Sequence, residues 1–216
     1  MRWNPFLCTL ILVSALGFFS PFQAKAQQKD SFPAHVDTTL FRDMHFRTVG
    51  PTRGGRVTAV EGLRDYPYTF YMGSAAAGGV WRTTDYGHSW TNLTDGAGFK
   101  STAIGAIEVA DSDTSIIYVG TGSSSIRANV ATGSGMYKST DAGKTWQHIG
   151  LDDAGQIGAI KVDPRDPNRV YVAALGHPFG KNKQRGVFRS TDGGQSWDKV
   201  LFTSDSTGAV DLELNP

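Results

Sequence analysis

The chain has 216 residues, 26 of them glycine, with 39% hydrophobic residues, 19% charged residues and a formal net charge of +1. That near-balance excludes the basic footprint of a nucleic-acid binder. One cysteine excludes a disulfide framework, and the abundant glycine suits a single domain of short strands and turns.

Residues 1–26 read as a secretory signal peptide. Arg2 gives a basic start, residues 6–19 are mostly apolar, and Ala24-Lys25-Ala26 puts small residues at the −3 and −1 positions of a cleavage after Ala26. The apolar run is too short for a membrane span. Cleavage removes Arg2, Lys25 and Cys8, leaving 19 basic and 20 acidic residues. The product is expected to be secreted or periplasmic, with no membrane span and no nucleic-acid partner. Residues 27–39 form a polar leader. Phe46-Arg47-Thr48-Val49-Gly50 then shows an aromatic-x-x-aliphatic pattern that returns later at the end of each repeat.

Three similar units follow. First strands are predicted at 57–62, 104–109 and 157–162, and second strands at 69–73, 116–120 and 170–174, joined by turns rich in Asp and Pro. Third strands open on Gly79-Val80-Trp81-Arg82, Gly135-Met136-Tyr137-Lys138 and Gly186-Val187-Phe188-Arg189. Each runs into one pattern, [ST]-x-D-x-G-x-[ST]-W. Its copies are Thr83-Thr84-Asp85-Tyr86-Gly87-His88-Ser89-Trp90, Ser139-Thr140-Asp141-Ala142-Gly143-Lys144-Thr145-Trp146 and Ser190-Thr191-Asp192-Gly193-Gly194-Gln195-Ser196-Trp197. The Asp side chain is expected to accept amides about two residues ahead and close a turn. Gly87, Gly143 and Gly194 supply a positive φ. Trp90, Trp146 and Trp197 are expected to bury a flat surface beneath each hairpin.

Four strands in a period of about 50 residues are the signature of a β-propeller blade. The fold class is therefore all-β, an incomplete propeller over residues 40–216. Its blades cover about 55–94, 102–150 and 156–201, with a fourth begun at 208. A ring needs at least about four blades. The missing C-terminal blades are expected as partners, with the strand at Phe46 reserved for closing the ring.

The repeated motif is similar to the Asp-box, or BNR repeat, found in sialidases, tandem-propeller xyloglucanases and sortilin-type receptors. Together with Gly54-Gly55-Arg56 and Ala77-Gly78-Gly79-Val80-Trp81-Arg82, it resembles large exported bacterial proteins of sortilin N-terminal-domain-like or glycosyl-hydrolase-like type. The resemblance implies the fold and leaves activity open. Where xyloglucanases of this type carry a catalytic Asp, the matching run Ser74-Ala75-Ala76-Ala77-Gly78-Gly79 puts Ala76.

Successive turns of an antiparallel blade alternate between the two ends of the sheet. The Asp-boxes therefore share an end with the Asp/Pro turns, and the longer polar loops gather at the other. Candidate ligand-binding residues there are Arg53, Arg56, Arg127, Asn129, His177 and Arg185. Candidate catalytic carboxylates are Asp95, Asp153 and Asp205, since glycoside hydrolysis normally needs two carboxyl groups. The five histidines lack metal-ligand spacing. No metal and no cofactor is expected. The main expectation is an exported module binding a glycan or peptide through its loops. The alternatives are a xyloglucanase-like glycoside hydrolase and a non-catalytic scaffold.

Overall fold

The computed structural model describes residues 38–42, 44, 55–76, 78–125 and 130–215. The signal-peptide reading, the strand at Phe46, and Arg53, Arg127 and Asn129 lie outside the described residues. The chain divides into two units, Met1–Pro51 and Thr52–Pro216. The first contains a short 3-10 turn, Thr38–Phe41, continued by a hydrogen bond from the Arg42 amide to the Thr39 carbonyl at 3.3 Å.

The second unit holds three four-stranded antiparallel sheets, and no α-helix occurs among the described residues. Blade 1 is β1 (Val57–Gly62), β2 (Phe70–Ser74), β3 (Val80–Thr83) and β4 (Thr91–Asn92). Blade 2 is β5 (Ile104–Val109), β6 (Ile117–Thr121), β7 (Met136–Ser139) and β8 (Gln147–His148). Blade 3 is β9 (Ile157–Asp163), β10 (Asp166–Ala174), β11 (Gly186–Ser190) and β12 (Asp198–Leu201). Strand order in each sheet follows chain order. Residues 208–215, read as the start of a fourth unit, form no ladder.

Blade 2 lies between the other two, and its sequence shows why. Every residue of β6 is buried. Its pleat sends Ile117 and Val119 into a core shared with Ala59, Tyr71 and Val80 of blade 1. Tyr118 points the other way, into a core with Ile160, Val172 and Phe188 of blade 3. Each such burial is worth roughly 1.5–3 kcal/mol, which is why a strand covered on both faces reads as unbroken apolar sequence. β12 is exposed at all four positions.

Each first strand contains one irregular step, at Thr58, Gly105 and Gly158, where the pairing register shifts. The extra residue lets Ile104, Ile107 and Val109 share one face despite their uneven spacing. It also brings blades very close. A Cβ on Gly105 would lie 2.0 Å from the Ile157 carbonyl oxygen, and one on Gly158 would lie 1.9 Å from that of Val210. At the equivalent Thr58 the hydroxyl instead donates to the Ile104 carbonyl. Val210 thus stands against blade 3 as Ile157 stands against blade 2. On the second strands, Ile104 and Ile157 sit over Gly73 and Gly120, where a Cβ would meet them at 2.5 and 2.3 Å.

The Asp-box turns are built alike. In blade 2, Ser139 Oγ donates to Asp141 Oδ1 at 2.8 Å and accepts the amides of Asp141 at 3.3 Å and Gly143 at 2.8 Å. Asp141 accepts the amide and hydroxyl of Thr145 at 2.8 and 2.6 Å. The expected span of the Asp bond is therefore corrected. The accepted amide lies four residues ahead, and the two-residue step belongs to the preceding hydroxyl. The Thr145 hydroxyl, with the Thr145 amide, holds Asp141 down to about 2; the Ser89 hydroxyl does the same for Asp85. The glycines have positive φ as expected, and so do the residues before them: Tyr86 at 58°, Ala142 at 59° and Gly193 at 71°.

The tryptophans do more than weight their own hairpins. Trp146 Nε1 donates to the Leu93 carbonyl of blade 1 at 2.9 Å, and Trp197 Nε1 to the Ile149 carbonyl of blade 2 at 2.7 Å. Trp90 turns back on Gly87 at 3.1 Å. In the opposite direction, Arg82 donates to the Ala142 carbonyl of the second Asp-box at 3.3 Å. Blades are thus clasped both ways along the chain.

Along the inner wall, Glu61, Glu108 and Lys161 occupy matching positions on β1, β5 and β9, in a hollow of about 210 Å³ that Asp211 and Glu213 also line. Lys161 pairs with Glu108 at 3.5 Å. Burial, then the Glu108 charge, pushes the Glu61 carboxyl up to about 7, against the opposing pull of Lys161.

Gly193 shows that glycine is accepted at the left-handed position that Ala142 holds. Ala142→Gly should stabilise by roughly 0.5–1 kcal/mol, while Gly193→Ala should destabilise by about 1–2 kcal/mol in urea unfolding. A Cβ at 193 would also meet Lys138 Nζ at 2.4 Å. The pH response has a definite sign. A carboxyl whose folded value is raised lends stability at low pH and loses it as pH rises through the folded value. Between roughly pH 5 and pH 8 the melting temperature should fall, and in Glu61→Gln that slope should flatten.

Candidate functional site

The polar loops gather at the end opposite the Asp-boxes. The Asp-box turns bond to the β1–β2 turn, the β5–β6 turn and the start of β10: Tyr86 N–H to Tyr68, Ala142 N–H to Ser115 and Gly193 N–H to Asn168. At the other end the β2–β3, β6–β7 and β10–β11 loops bond to the connections between blades. Gly79 N–H reaches Thr102, Gly133 N–H reaches Gly155, and Asn182 N–H reaches Asp205.

The densest polar cluster centres on Asp153, in the connection from β8 to β9. That connection is sharply folded, with Gly150, Leu151 and Gly155 all at positive φ and the Ala154 amide bonded to the Leu151 carbonyl at 3.0 Å. Leu151 is buried and pays for its strained backbone by packing between blades 2 and 3. The turn directs Asp152 and Asp153 outward. Asp152 lies 3.4 Å from His148 and 3.8 Å from Lys100. Asp153 Oδ1 is 2.7 Å from His177 Nε2, its amide donates to Gln184 Oε1 at 2.7 Å, and Asn182 Nδ2 contacts both its carbonyl and Oδ2.

The β10–β11 loop therefore gathers two of the three candidate carboxylates. Asn182 touches the Asp153 carboxylate through its side chain and donates its backbone amide to the main-chain carbonyl of Asp205. Lys181 lies 3.8 Å from Asp205. Asp95 is not joined to them. It stands in the connection from β4 to β5, its amide bonded to Asn92 Oδ1 at 2.9 Å. Arg56 lines a separate hollow of about 310 Å³ on blade 1 with Met72 and Trp81. Ala76 is exposed in the β2–β3 turn and offers a methyl group.

Arg185 departs from expectation. It is only 5% exposed. Its guanidinium donates to the Leu175 carbonyl at 2.7 Å and to those of His177 and Gly180. Its two terminal nitrogens are committed to the loop's own backbone, while its buried Nε has no protein partner. Asn182, Gln184 and Phe179 were missed by sequence reasoning. The signal available was length: eleven residues, 175–185, separate the second and third strands of blade 3, against five in blade 1. No group of His, Cys, Asp or Glu able to hold a metal occurs among the described residues. No helix among them is long and apolar enough to cross a membrane.

Comparison with known proteins points to one kind of scaffold. A xyloglucanase of Hypocrea jecorina is 29% identical over 169 residues, covering 71% of this chain and 19% of that protein. A probable oligoxyloglucan-reducing end-specific xyloglucanase of Neosartorya fischeri is 32% identical over 161 residues, covering 69% of this chain and 17% of that protein. The chain thus spans about a fifth of the length of the curated relatives it matches. The crystal structure of an ancestral GH74 enzyme superposes with a TM-score of 0.58 at 24% identity, over 76% of this chain and 20% of that one, a likeness of fold. Residues 78–209, which hold all three Asp-boxes and the loops around Asp153, match the profile of the Sortilin-Vps10 family (sortilin, neurotensin receptor 3), and the chain belongs to that family.

Proposed function

We propose that the chain is part of an exported glycoside hydrolase of propeller type acting on a polysaccharide of the xyloglucan class. The observation that carries this reading is the pairing of xyloglucanase relatives over about 70% of the chain with a loop that gathers Asp153 and Asp205 at one end of the blades. It reverses the order of the readings drawn from sequence, where binding alone stood first. Export rests on the signal-like residues 1–26 and fits a substrate that lies outside the cell.

The proposed chemistry needs two carboxyl groups flanking the scissile bond, one giving a proton and one activating water or attacking carbon. Ala76 supplies none, so the roles fall to loop carboxylates. Asp153 is the first choice for the ionised partner, since His177 and Asn182 donate to it and orient it. Asp205, whose carboxylate lies 3.8 Å from Lys181 of the same loop, is the candidate for its counterpart. The second reading is a glycan-binding module without turnover, and Ala76 is the observation that favours it.

Reducing ends released from soluble xyloglucan and mixed-linkage β-glucan should rise with time in the wild type. Asp153→Asn should lower kcat by about 100-fold or more with KM little changed. Unchanged turnover in Asp153→Asn removes that residue from the mechanism. Retention of xyloglucan without any release by the wild type selects the binding reading.

A further inference from the structure

Phe179 is 80% exposed, a large apolar ring at the crest of the β10–β11 loop. A single exposed apolar residue needs no explanation on a loose loop, but this loop is not loose. Arg185 is buried beneath it and takes the carbonyls of His177 and Gly180, which bracket Phe179 on both sides. Asn182 Oδ1 accepts the His177 amide at 3.1 Å, and Gly176 holds a left-handed turn at φ 83°. Burying a guanidinium costs several kcal/mol before its hydrogen bonds repay it. Here the repayment goes to the backbone on either side of an aromatic ring displayed to solvent.

Beside the ring is a hollow of about 300 Å³ lined by Val130, Thr132, His177, Pro178 and Gly180. Its composition is two-sided. Phe179, Pro178 and Val130 offer apolar surface, while the Thr132 hydroxyl and the His177 imidazole offer hydrogen bonds. A pyranose ring has the same division, with C–H groups on its faces and hydroxyls around its edge. His177 ties the hollow to the carboxylate at Asp153 through the bond at 2.7 Å. We propose that Phe179 is the stacking platform of a glycan subsite, receiving one β-linked pyranose ring in the hollow beside it, next to Asp153. The proposal rests on the polysaccharide reading above and names a binding residue for it.

The test is native affinity electrophoresis of the protein in gels containing xyloglucan or hydroxyethylcellulose, with melting temperatures measured in parallel. Phe179→Ala should weaken retention about tenfold, Phe179→Trp should retain or tighten it, and neither should move the melting temperature, since the ring is exposed. Retention of Phe179→Ala equal to wild type overturns the proposal, as does equal loss in Phe179→Ala and Phe179→Trp. Absence of wild-type retention by either polymer also overturns it. The hydrolase reading fails separately: a wild type that binds in a Phe179-dependent way but releases no reducing ends loses the hydrolase and keeps the platform.

Discussion

The closeness of neighbouring backbones at the inner edge governs this structure. Successive first strands touch through a bulged residue that has no room for a side chain at Gly105 and Gly158. Where a side chain is present, at Thr58, its hydroxyl takes the neighbouring carbonyl as a hydrogen-bond partner. Close approach forces the blades into one spacing, and that spacing seats Ile104 over Gly73 and Ile157 over Gly120. The fit is steric and tight, so each blade's position is set by its predecessor and not by loops. In the third step of the series Ala173 stands at the register of Gly120, and the Val210 carbonyl meets Gly158 as the Ile157 carbonyl meets Gly105.

The Asp-box makes the outer counterpart of that inner contact. Its Asp and its first hydroxyl satisfy the turn's own amides, which leaves the Trp indole N–H and the motif glycine for the neighbour. Gly143 and Gly194 each leave space filled by Leu93 and Ile149, whose carbonyls accept the following Trp N–H. One short motif thus closes a hairpin and fixes it to the blade before. This double use explains why all its positions repeat together. A turn alone would need the Asp and the Gly, and the Trp would be free to vary.

Strand positions were legible in the sequence because each repeat carries its own punctuation, Gly at the start of the third strand and Asp-Gly at its turn. β1, β5 and β9 fall at 57, 104 and 157 as the alternation predicts. The fourth strands are shorter than the aromatic-x-x-aliphatic pattern at the end of each repeat suggests. Trp90 and Trp146 lie before the ladder, and β4 and β8 are two residues each, because the indoles are engaged elsewhere. The reach of the tryptophans was not legible, since a partner 53 or 48 residues back is a property of the packed stack. At the site, Asp153 and His177 were readable as loop residues but their pairing was not, being brought about by two connections meeting between blades 2 and 3. The burial of Arg185 was not legible for the same reason. An arginine in a long polar loop has the composition of a ligand contact, and only burial reveals that it holds three carbonyls.

Rigid blades and a variable loop divide the work between stability and function. The β2–β3 turn of blade 1 is short and closes on itself, with Ser74 N–H bonded to Gly79 at 3.0 Å. The β10–β11 loop is twice as long and cannot close that way, so its ends are pinned by a strand ladder and its middle by a buried cation. A loop of that length without Arg185 would sample many shapes, and ordering it on a ligand would cost roughly 1–2 kcal/mol per residue. Placing that cost in the folded state leaves His177, Phe179 and Asn182 already arranged for the ligand proposed above. The same argument explains why Asp153 is a better candidate than Asp95. Both stand in connections between blades, but only Asp153 has its carboxylate oriented by donors on a pinned loop, and preorganised donors and acceptors are what a transition state can use.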